Sequence, residues 1–452
     1  MKKRQLIAST SGIRGIVGSG LDPELVAAYG AAFGTLLKNG TVVVGCDTRP
    51  SGDMVRRAVT AGLVSVGVNV VDIGVVPTPT VGIAVRELGA SGGVCVTASH
   101  NPAQWNALKF FNGTGRFITP RQFESLQGIL THRRFAYRPA DRLGKFTCWQ
   151  GWIDRHIKRI LSLSILDRPA IKRRKFRVVV DAVNGAGSVA LPKLLEKLGV
   201  EVFAINCDAD GNFVRGPEPV PQNLRQLAQA VQRHQADLGM ACDPDADRLA
   251  LVDERGRPIG EELTLTIAVL EVLKRVHGPT VINLSTSRAT ADVAKALGSR
   301  VSYSKVGESN VVEAMRRKKA VIGGEGNGGV IFPAFHAGRD ALIASALVLQ
   351  ALARGTGSLS ELAKTFPRYY SIKSKASLPG DFAIRLKRFE TKAHRLLGKV
   401  KVDRRDGLRF DFADGWLQLR ASNTEPIFRL IVETSERQLT RALHAKVMSY
   451  FI

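Results

Sequence analysis

The chain has 452 residues, of which 44% are apolar, and its formal net charge at pH 7 is +25. This length allows several domains of roughly 100–200 residues each, and the apolar fraction is ordinary for a globular protein. The longest apolar runs fall well short of the roughly 20 residues that a membrane-spanning helix needs, so we expect no membrane partner.

The five cysteines are scattered, odd in number and without a CxxC pair. They argue against a disulfide framework or a zinc site and indicate a reducing, cytoplasmic environment. The positive charge favours either attraction of anionic substrates or nucleic-acid binding. No aromatic residues interleave the basic clusters, so we expect no nucleic-acid partner and an attraction for phosphate instead. The clusters are Lys172–Lys175, Arg316–Lys319 and Arg404–Arg405.

Strand-like runs alternate with helical patterns from the start of the chain to about residue 365. One helical pattern has Leu191, Leu194, Leu195 and Leu198 at helical spacing and is closed by Gly199. Such alternation predicts α/β layers with mostly parallel sheets. The strand-like runs include Val42–Val44, Val68–Val71, Val94–Val96, Val178–Val180 and Val281–Leu284.

The pattern restarts about every hundred residues, which predicts three similar α/β domains with mixed, mostly parallel sheets. We place them at residues 1–150, 151–256 and 257–368. The remaining residues, 369–452, have two strand-like runs, Leu417–Arg420 and Phe428–Val432, on either side of a loop, and a helix ends the chain. They predict a smaller C-terminal α+β domain.

The segment Thr97–Pro102 is the most informative part of the chain. It follows the predicted buried strand Val94–Val96, and Pro102 stops regular structure just after it. Ser99 is therefore predicted on a turn at a strand end, beside His100 and an amide, with Lys109 ten residues further on. This is a usual position for a nucleophile in an α/β protein. The alternative is a simple Asx or Ser turn.

An acidic segment follows the predicted strand Leu238–Ala241. Asp243, Asp245 and Asp247 alternate along it, and oxygen ligands of this kind suit a hard divalent cation. The segment lacks the glycine and the distant glutamate of an EF-hand, and it supplies too few other oxygens by itself. A ligand from elsewhere, such as a phosphate on Ser99, would complete a Mg²⁺ shell. Arg248, the next residue, could clamp a phosphoryl oxygen. The alternative is a solvated acidic turn.

Three further segments are predicted to be ligand loops. Gly323–Gly329 is dense in glycine, which permits close backbone approach to a ligand, and its Glu325 and Asn327 could hold sugar hydroxyls. Arg420–Pro426, with Arg429 beyond it, offers guanidinium groups, hydroxyls and an amide as a phosphate cradle. Ser9–Gly15 carries Arg14, which could reach a reacting phosphate. Each could also be an ordinary turn.

Together these segments resemble the α-D-phosphohexomutase superfamily in order, spacing and four-domain division across nearly the whole chain. The resemblance implies an intramolecular phosphotransferase that interconverts a sugar 6-phosphate and a sugar 1-phosphate through a phosphoserine and a bisphosphorylated sugar. It implies one Mg²⁺ per chain and a sugar 1,6-bisphosphate as activator. We expect a monomer or a homodimer.

The resemblance also assigns roles to individual residues. Nearby cations are expected to lower the pKa of Lys109, so that it can accept a proton. The implied roles are catalysis by Ser99, His100, Lys109, Arg14 and Arg248; Mg²⁺ ligation by phosphorylated Ser99, Asp243, Asp245 and Asp247; and substrate binding by Lys305, Glu308, Glu325, Asn327, Arg420, Ser422, Asn423, Thr424 and Arg429.

Two departures from the family pattern bear on the sugar. Glucose and mannose mutases typically carry a Glu-x-Ser-Gly-His loop, whereas Glu325–Gly329 has no histidine, and Glu308 stands where the hexose enzymes commonly have one. Both departures resemble phosphoglucosamine mutases of the archaeal type and some bacterial relatives. A carboxylate at Glu308 could favour a protonated 2-amino group. Phosphomannomutase or phosphoglucomutase activity is the alternative.

Two other classes of function compete. A metal-dependent phosphatase with a serine nucleophile needs an activated water and commonly a two-metal cluster, for which one acidic loop is thin. A basic nucleic-acid-binding module would bind with a steep salt dependence, and no recognition motif supports it. We rank both below the mutase.

Overall fold

The computed structural model describes residues 6–355, 357–422 and 427–452. Within these ranges the chain forms three mixed parallel and antiparallel sheets covered by helices, followed by one antiparallel sheet with two helices. The predicted fold class is thereby confirmed. No helix in the described ranges is long and apolar enough to cross a membrane.

The first sheet alternates with the helices α1 to α4. Asp22 caps α1 by accepting from the backbone N–H of Leu25, and Thr119 forms a capping box with Gln122 at α4. The strands are β1 Leu6–Ser9, β2 Gly12–Ile16, β3 Thr41–Cys46, β4 Asn69–Val75, β5 Gly92–Val96, β6 Trp105–Asn112 and β7 Phe146–Cys148; the helices are α1 Pro23–Leu37, α2 Gly52–Ser65, α3 Thr78–Glu87 and α4 Pro120–Thr131. Their spatial order is β1-β2-β6-β5-β3-β4-β7.

The second and third sheets share one continuous apolar core, in which α5, α7, α9 and α12 pack together. The second group comprises β8 Arg177–Asp181, β9 Glu201–Ile205, β10 Leu238–Cys242, β11 Leu249–Asp253, α5 Trp152–Leu161, α6 Arg168–Arg173, α7 Gly187–Lys197 and α8 Arg225–Arg233. The third comprises β12 Thr280–Asn283, β13 Val301–Ser304, β14 Ile322–Glu325, β15 Gly329–Phe332, β16 His336–Arg339, α9 Glu261–Leu273, α10 Arg288–Ala296, α11 Glu308–Lys318, α12 Ala341–Arg354 and α13 Leu359–Lys364. The orders are β11-β10-β8-β9 and β13-β12-β14-β15-β16.

The last sheet has a separate core built largely from phenylalanine and leucine. Its strands β20 and β21 are the two runs predicted from the sequence, and they pair antiparallel. The elements are β17 Tyr370–Ser377, β18 Lys401–Asp403, β19 Leu408–Phe412, β20 Gly415–Ala421, β21 Ile427–Thr434, α14 Phe382–Leu397 and α15 Arg437–Phe451, with the strand order β17-β21-β20-β19-β18.

Two segments that were predicted to be loops consist mostly of strand residues. In Ser9–Gly15, β1 ends at Ser9 and β2 begins at Gly12, so Arg14 lies within β2 and pairs with Ala107 of β6. In Gly323–Gly329, β14 continues to Glu325 and β15 begins at Gly329. Close strand packing explains the second case, because a Cβ on Gly323 would lie 2.1 Å from the carbonyl oxygen of Val281.

The ends of the central strands bring the candidate site together. Asp47 follows β3, Ser99 lies three residues after β5, Asp243 follows β10, and Glu325 ends β14. In each sheet these are carboxyl ends of strands with a parallel neighbour, the edge where α/β proteins place their ligands. The fold therefore brings together side chains that are as far apart in sequence as Asp47 and Glu325.

Buried hydrogen bonds fix the third sheet against the first. The Nδ1 atom of His156 lies 2.8 Å from Thr80 Oγ1, and its Nε2 lies 2.9 Å from Asp340 Oδ2. The other carboxylate oxygen of Asp340 caps α12 by accepting from the N–H groups of Leu342 and Ile343. These bonds fix the position of Asp340, and Arg339 is the residue directly before it.

Candidate active site

Ser99 is held in a conformation that is rare for a residue with a side chain. Its φ is +50°, in the left-handed region, and only 6% of its surface is exposed. Its N–H donates to Thr97 Oγ1 at 3.0 Å, and its Oγ donates to Asp243 Oδ2 at 3.0 Å. The Nδ1 atom of His100 lies 3.4 Å from the same Oγ. The serine hydroxyl thus faces the acidic segment.

Arg49 binds the backbone of residues 99–105, which we call the serine loop, and it was not predicted from the sequence. All five of its N–H donors are used: Nε donates to Asp47 Oδ2 at 3.0 Å, and the two terminal nitrogens donate to four backbone carbonyls. Those carbonyls belong to Ser99, Asn101, Pro102 and Trp105, at distances of 2.6, 2.6, 2.6 and 2.9 Å. The available signal was the Asp-Thr-Arg sequence directly after a strand.

The three aspartates of the acidic segment are fully buried and converge. One oxygen from each of Asp243, Asp245 and Asp247 lies within 4.8 Å of the others, and among the described residues they are the only group of three that could hold a metal ion in this way. Asp245 Oδ1 and Asp247 Oδ1 have no hydrogen-bond partner in the described part of the chain. Orphaned buried carboxylate oxygens fit a hard divalent cation.

Lys109 contacts this group directly. Its Nζ lies 2.6 Å from Asp245 Oδ2 and 3.6 Å from Asp247 Oδ2, and Thr78 Oγ1 also donates to Asp245 Oδ2, at 2.6 Å. Burial opposes the charge on the ammonium, but the two carboxylates outweigh it and raise the pKa of Lys109 above its usual range. The expected lowering of this pKa counted a bound cation and arginines but left out these two carboxylates, which act in the opposite direction.

The same environment shifts the pKa values of Asp243, Asp245 and His100 in different directions. Burial, with the adjacent carboxylates of Asp247 and Asp245, raises the pKa of Asp243 well above its usual value. Burial also opposes ionisation of Asp245, but Lys109 outweighs it and lowers the pKa of that carboxyl. Burial and the charges of Arg248 and Arg14 lower the pKa of His100 well below its usual value, which leaves its ring neutral at pH 7.

Arg339 connects the acidic segment to the third sheet, and it was also missed. Its Nη2 donates to Asp247 Oδ2 at 2.5 Å, its Nη1 to Glu325 Oε2 at 2.7 Å and its Nε to Glu308 Oε2 at 3.1 Å. Glu325 Oε1 further accepts from Asn283 Nδ2 and from the N–H of Gly307, both at 2.8 Å. No local pattern marks Arg339, since its partners come from three separate segments.

The remaining predicted residues lie around this centre at different depths. Arg14 Nη1 donates to Asn101 Oδ1 at 3.3 Å, and Arg248 Nη1 donates to Glu218 Oε1 at 3.0 Å. Asn327 Oδ1 accepts from the N–H of Gly329, within the turn that follows Glu325. Lys305 is exposed, whereas Glu308 is buried against Arg339.

The last sheet places two of the predicted cradle residues opposite each other. Arg420 on β20 pairs with Arg429 on β21. Ser422 is the first residue after β20, and its N–H donates to the carbonyl oxygen of Ile427 at 2.8 Å. The buried Nε of Arg420 has no hydrogen-bond partner among the described residues. Two facing guanidinium groups suit an anion. Asn423 and Thr424 lie outside the residues that the structure describes.

Polar contacts tie the last sheet to the third. The guanidinium of Arg288 donates to the backbone carbonyls of Phe412, Ala413 and Gly415, at 2.8, 3.0 and 2.7 Å. Lys373 Nζ reaches Glu261 at 2.9 Å and Glu262 at 2.7 Å. These bonds join β17 and the turn between β19 and β20 to the helices α9 and α10 of the third group.

Comparison with known proteins identifies the group to which the chain belongs. The models of the phosphoglucomutase/phosphomannomutase family match in succession: α/β/α domain I over residues 5–136, domain II over 154–256, domain III over 261–370 and the C-terminal domain over 384–449. The chain belongs to this family. Its resemblance to the phosphohexomutases is thereby confirmed, and the chain is a phosphosugar mutase, which is an isomerase.

Individual relatives match over nearly their whole length. A phosphoglucomutase/phosphomannomutase of Thermococcus kodakarensis is 37% identical over 441 residues, which cover 96% of this chain and 95% of the relative. A probable phosphoglucosamine mutase of Pyrococcus abyssi is 36% identical over 441 residues, covering 97% and 96%. The crystal structure of a phosphoglucomutase/phosphomannomutase family protein from Burkholderia thailandensis superposes with a TM-score of 0.87 at 29% identity, covering 100% of this chain and 97% of the other.

Proposed function

We propose that this mutase interconverts glucosamine 6-phosphate and glucosamine 1-phosphate, through a phosphoserine at Ser99 and a bisphosphorylated sugar. The observation that carries the proposal is the contact of Ser99 Oγ with Asp243 Oδ2 at 3.0 Å, inside a buried group of three carboxylates and one lysine. A serine hydroxyl aimed at a carboxylate cluster is the arrangement that a metal-assisted phosphoryl transfer needs.

The carboxylates of Asp243, Asp245 and Asp247 would hold one Mg²⁺, with a phosphate on Ser99 as a further ligand. The two orphaned oxygens of Asp245 and Asp247 support this assignment, because a buried carboxylate oxygen without a partner is costly. When bound, the cation would offset negative charge on a phosphoryl group in transfer.

The transfer breaks the bond between the phosphoryl group and Ser99 Oγ and forms one to a sugar hydroxyl, whose proton must leave. Arg248, with Nε 3.8 Å from Asp243 and 3.7 Å from Asp247, and Arg14 on β2 supply positive charge around the serine. Lys109 is held protonated by Asp245, so it would donate its proton to Ser99 Oγ as the bond to phosphorus breaks, and the neutral amine would then accept the proton of the sugar hydroxyl.

Substrate binding is proposed for groups on the third and last sheets. Glu325 is held in one orientation by Arg339, Asn283 and Gly307, so its carboxylate is ready to accept from sugar hydroxyls. Arg420 and Arg429, opposite each other across β20 and β21, would bind the phosphate that is not reacting. A sugar 1,6-bisphosphate would act as the activator, because it can phosphorylate the serine.

Glucosamine is proposed as the sugar because Glu325–Gly329 has no histidine and because a carboxylate occupies position 308. The similarity to the Pyrococcus abyssi probable phosphoglucosamine mutase agrees with this choice. Glucose or mannose phosphate is the second candidate, which the similarity to the Thermococcus kodakarensis phosphoglucomutase/phosphomannomutase favours.

The deciding experiment measures kcat/KM for glucosamine 6-phosphate, glucose 6-phosphate and mannose 6-phosphate, with Mg²⁺ and a trace of the matching bisphosphate. A preference for the amino sugar is expected, and a preference for a hexose phosphate would replace it by the second candidate. If Glu308 contributes, Glu308→Gln should reduce the preference for glucosamine over glucose. Release of inorganic phosphate at the turnover rate would instead indicate a phosphatase.

The phosphoserine is tested with Ser99→Ala. Turnover should vanish, and intact-protein mass spectrometry should no longer detect a phosphate transferred from the bisphosphate. Ser449→Ala is the matched control, because that serine is exposed on α15 and its hydroxyl donates to the Lys446 carbonyl of the same helix. Undiminished turnover of Ser99→Ala would rule out the proposed intermediate.

A further inference from the structure

The outer edge of the first sheet carries a surface that the catalytic site does not use. We call residues 133–149 the edge surface. Backbone bonds from Arg138 to Ser65 O at 2.9 Å, from Gly144 to Val64 O at 3.0 Å and from Trp149 to Asp72 O at 2.8 Å fix it to the end of α2 and to β4. It includes β7, the last strand of the sheet, whose far side has no partner strand in the described part of the chain.

The edge surface exposes large apolar side chains. Tyr137 is 61% exposed, Leu143 45%, Phe146 51% and Trp149 41%, and Val75 at the end of the adjoining β4 is 45% exposed. Tyr137, Phe146 and Trp149 are the only aromatic side chains among the strongly exposed apolar residues of the described chain. Exposed apolar side chains grouped in this way mark an interaction site, whereas single ones do not.

Positive charge is interspersed with these side chains. Between residues 131 and 150 the chain has five arginine or lysine residues and one aspartate, Asp141, so this stretch carries a net charge of 5 − 1 = +4. All five basic residues are exposed, and they are Arg133, Arg134, Arg138, Arg142 and Lys145. The cluster Arg316–Lys319 differs, since no strongly exposed aromatic accompanies it. Each of the two basic clusters contains an arginine paired with a carboxylate, Arg316 with Glu313 and Arg142 with Asp141.

We propose that the edge surface docks the protein reversibly on a membrane whose lipid headgroups are anionic. Arginine and lysine would bind the headgroups, and the tyrosine, tryptophan, phenylalanine and leucine side chains would enter the interfacial layer. Tryptophan and tyrosine favour that layer because one part of each ring is apolar and the other part is polar. The docking goes beyond the proposed function and does not depend on it. It departs from the expectation of no membrane partner, which rested only on the lack of a run long enough to span a membrane.

The observations favour a lipid surface over two other occupants. A single-stranded nucleic acid would need open ring faces for stacking, but Arg155 lies 5.0 Å over the ring of Trp149, and Trp152 packs against the same ring. Leu143 and Val75 are aliphatic and would have no role in stacking. A second copy of the chain would bring two surfaces of like charge together, which opposes association.

The charge requirement is tested by co-sedimentation with vesicles of phosphatidylcholine alone and of phosphatidylcholine with phosphatidylglycerol in about a 2:1 ratio. The protein should sediment with the anionic vesicles only. The triple variant Arg134→Gln, Arg142→Gln, Lys145→Gln should bind them roughly 100-fold more weakly. The control Arg317→Gln, Lys318→Gln, Lys319→Gln loses the same charge from a cluster without exposed aromatics and should bind normally. Equal weakening of both variants would overturn the proposal.

The apolar requirement is tested with Leu143→Thr, Phe146→Thr, against the control Val189→Thr, Ile384→Thr, whose side chains are exposed on α7 and α14. The first pair should lower the affinity for anionic vesicles and leave thermal unfolding unchanged, whereas the control should alter neither. Tighter binding to a single-stranded oligonucleotide than to vesicles would overturn the proposal. So would a dimer, seen by sedimentation, that the first pair dissociates while vesicle binding is unaffected.

Discussion

Replacement of Arg49 by lysine should disable the serine loop without changing the net charge. The guanidinium satisfies five acceptors, one on Asp47 and four on backbone carbonyls of residues 99–105; the bonds to Asp47 and Ser99 are buried and the other three are partly buried. A lysine ammonium has three donors, so at least two acceptors lose their partner. A buried acceptor left unpaired costs about 1–3 kcal/mol, which gives about 2–6 kcal/mol for two acceptors, and the partly buried carbonyls favour the smaller value.

If that cost falls on the loop alone, the smaller value reduces the population of the productive conformation about 30-fold, because 1.4 kcal/mol is a factor of ten. We therefore expect kcat/KM for the preferred sugar phosphate to fall by at least this factor, with a parallel loss of Ser99 phosphorylation by the bisphosphate. Arg57→Lys on α2 is the control, since its side chain is 80% exposed and should tolerate the change. Wild-type kcat/KM in Arg49→Lys would refute the argument.

Three further predictions concern the carboxylates. Asp245→Asn removes one of the three carboxylates that are proposed to hold Mg²⁺, and it is the one that Lys109 contacts. The Mg²⁺ concentration for half-maximal activity should therefore rise about tenfold or more, while KM for the sugar changes little. An unchanged Mg²⁺ titration would contradict the ligand role. Burial raises the pKa of Glu308 to about 7, so the stability that its protonated form contributes is present below pH 4.5 and is lost as pH rises through 7. Glu308→Gln should lose less stability than wild type between about pH 5 and about pH 8 in chemical denaturation, by up to about 3 kcal/mol, and equal losses would disprove this. Burial likewise raises the pKa of Glu262 to about 7, so Lys373→Met should lower the thermal midpoint more at about pH 8 than at about pH 6, and no difference between the two would argue against the contact.

The sequence was sufficient for features whose signal is local. The strand before Ser99 and the alternating aspartates after β10 are marked by a few consecutive residues, and strand ends meet at one edge in any parallel sheet. The glycine-dense run was misassigned to a loop, because glycine serves close strand packing as well as turns, and only the position of Val281 O beside Gly323 separates the two uses.

Arg49 and Arg339 were not predicted from the sequence, and the reason is the same for both. Arg339 is 92 residues from Asp247 along the chain, so nothing near it in sequence reveals that partner. Arg49 has Asp47 two residues away, but Ser99, whose carbonyl it also binds, is 50 residues distant. The upward effect of Asp245 on the pKa of Lys109 was missed for the same reason, since it depends on how closely that carboxylate approaches the ammonium. Long-range pairing of buried charges requires the three-dimensional structure.

The bonds from Arg49 to the carbonyls behind Ser99 have a consequence for the reaction cycle. In the proposed mechanism, a nucleophile fixed at one place cannot travel between the two ends of a sugar, so the doubly phosphorylated sugar would have to be released from its first pose and held again in the second. Any molecule that escaped during this exchange would carry the phosphate of the enzyme away with it. The fraction of enzyme that is phosphorylated and active would then follow the concentration of free bisphosphate around it, because that bisphosphate would restore the phosphate of enzyme molecules that have lost it.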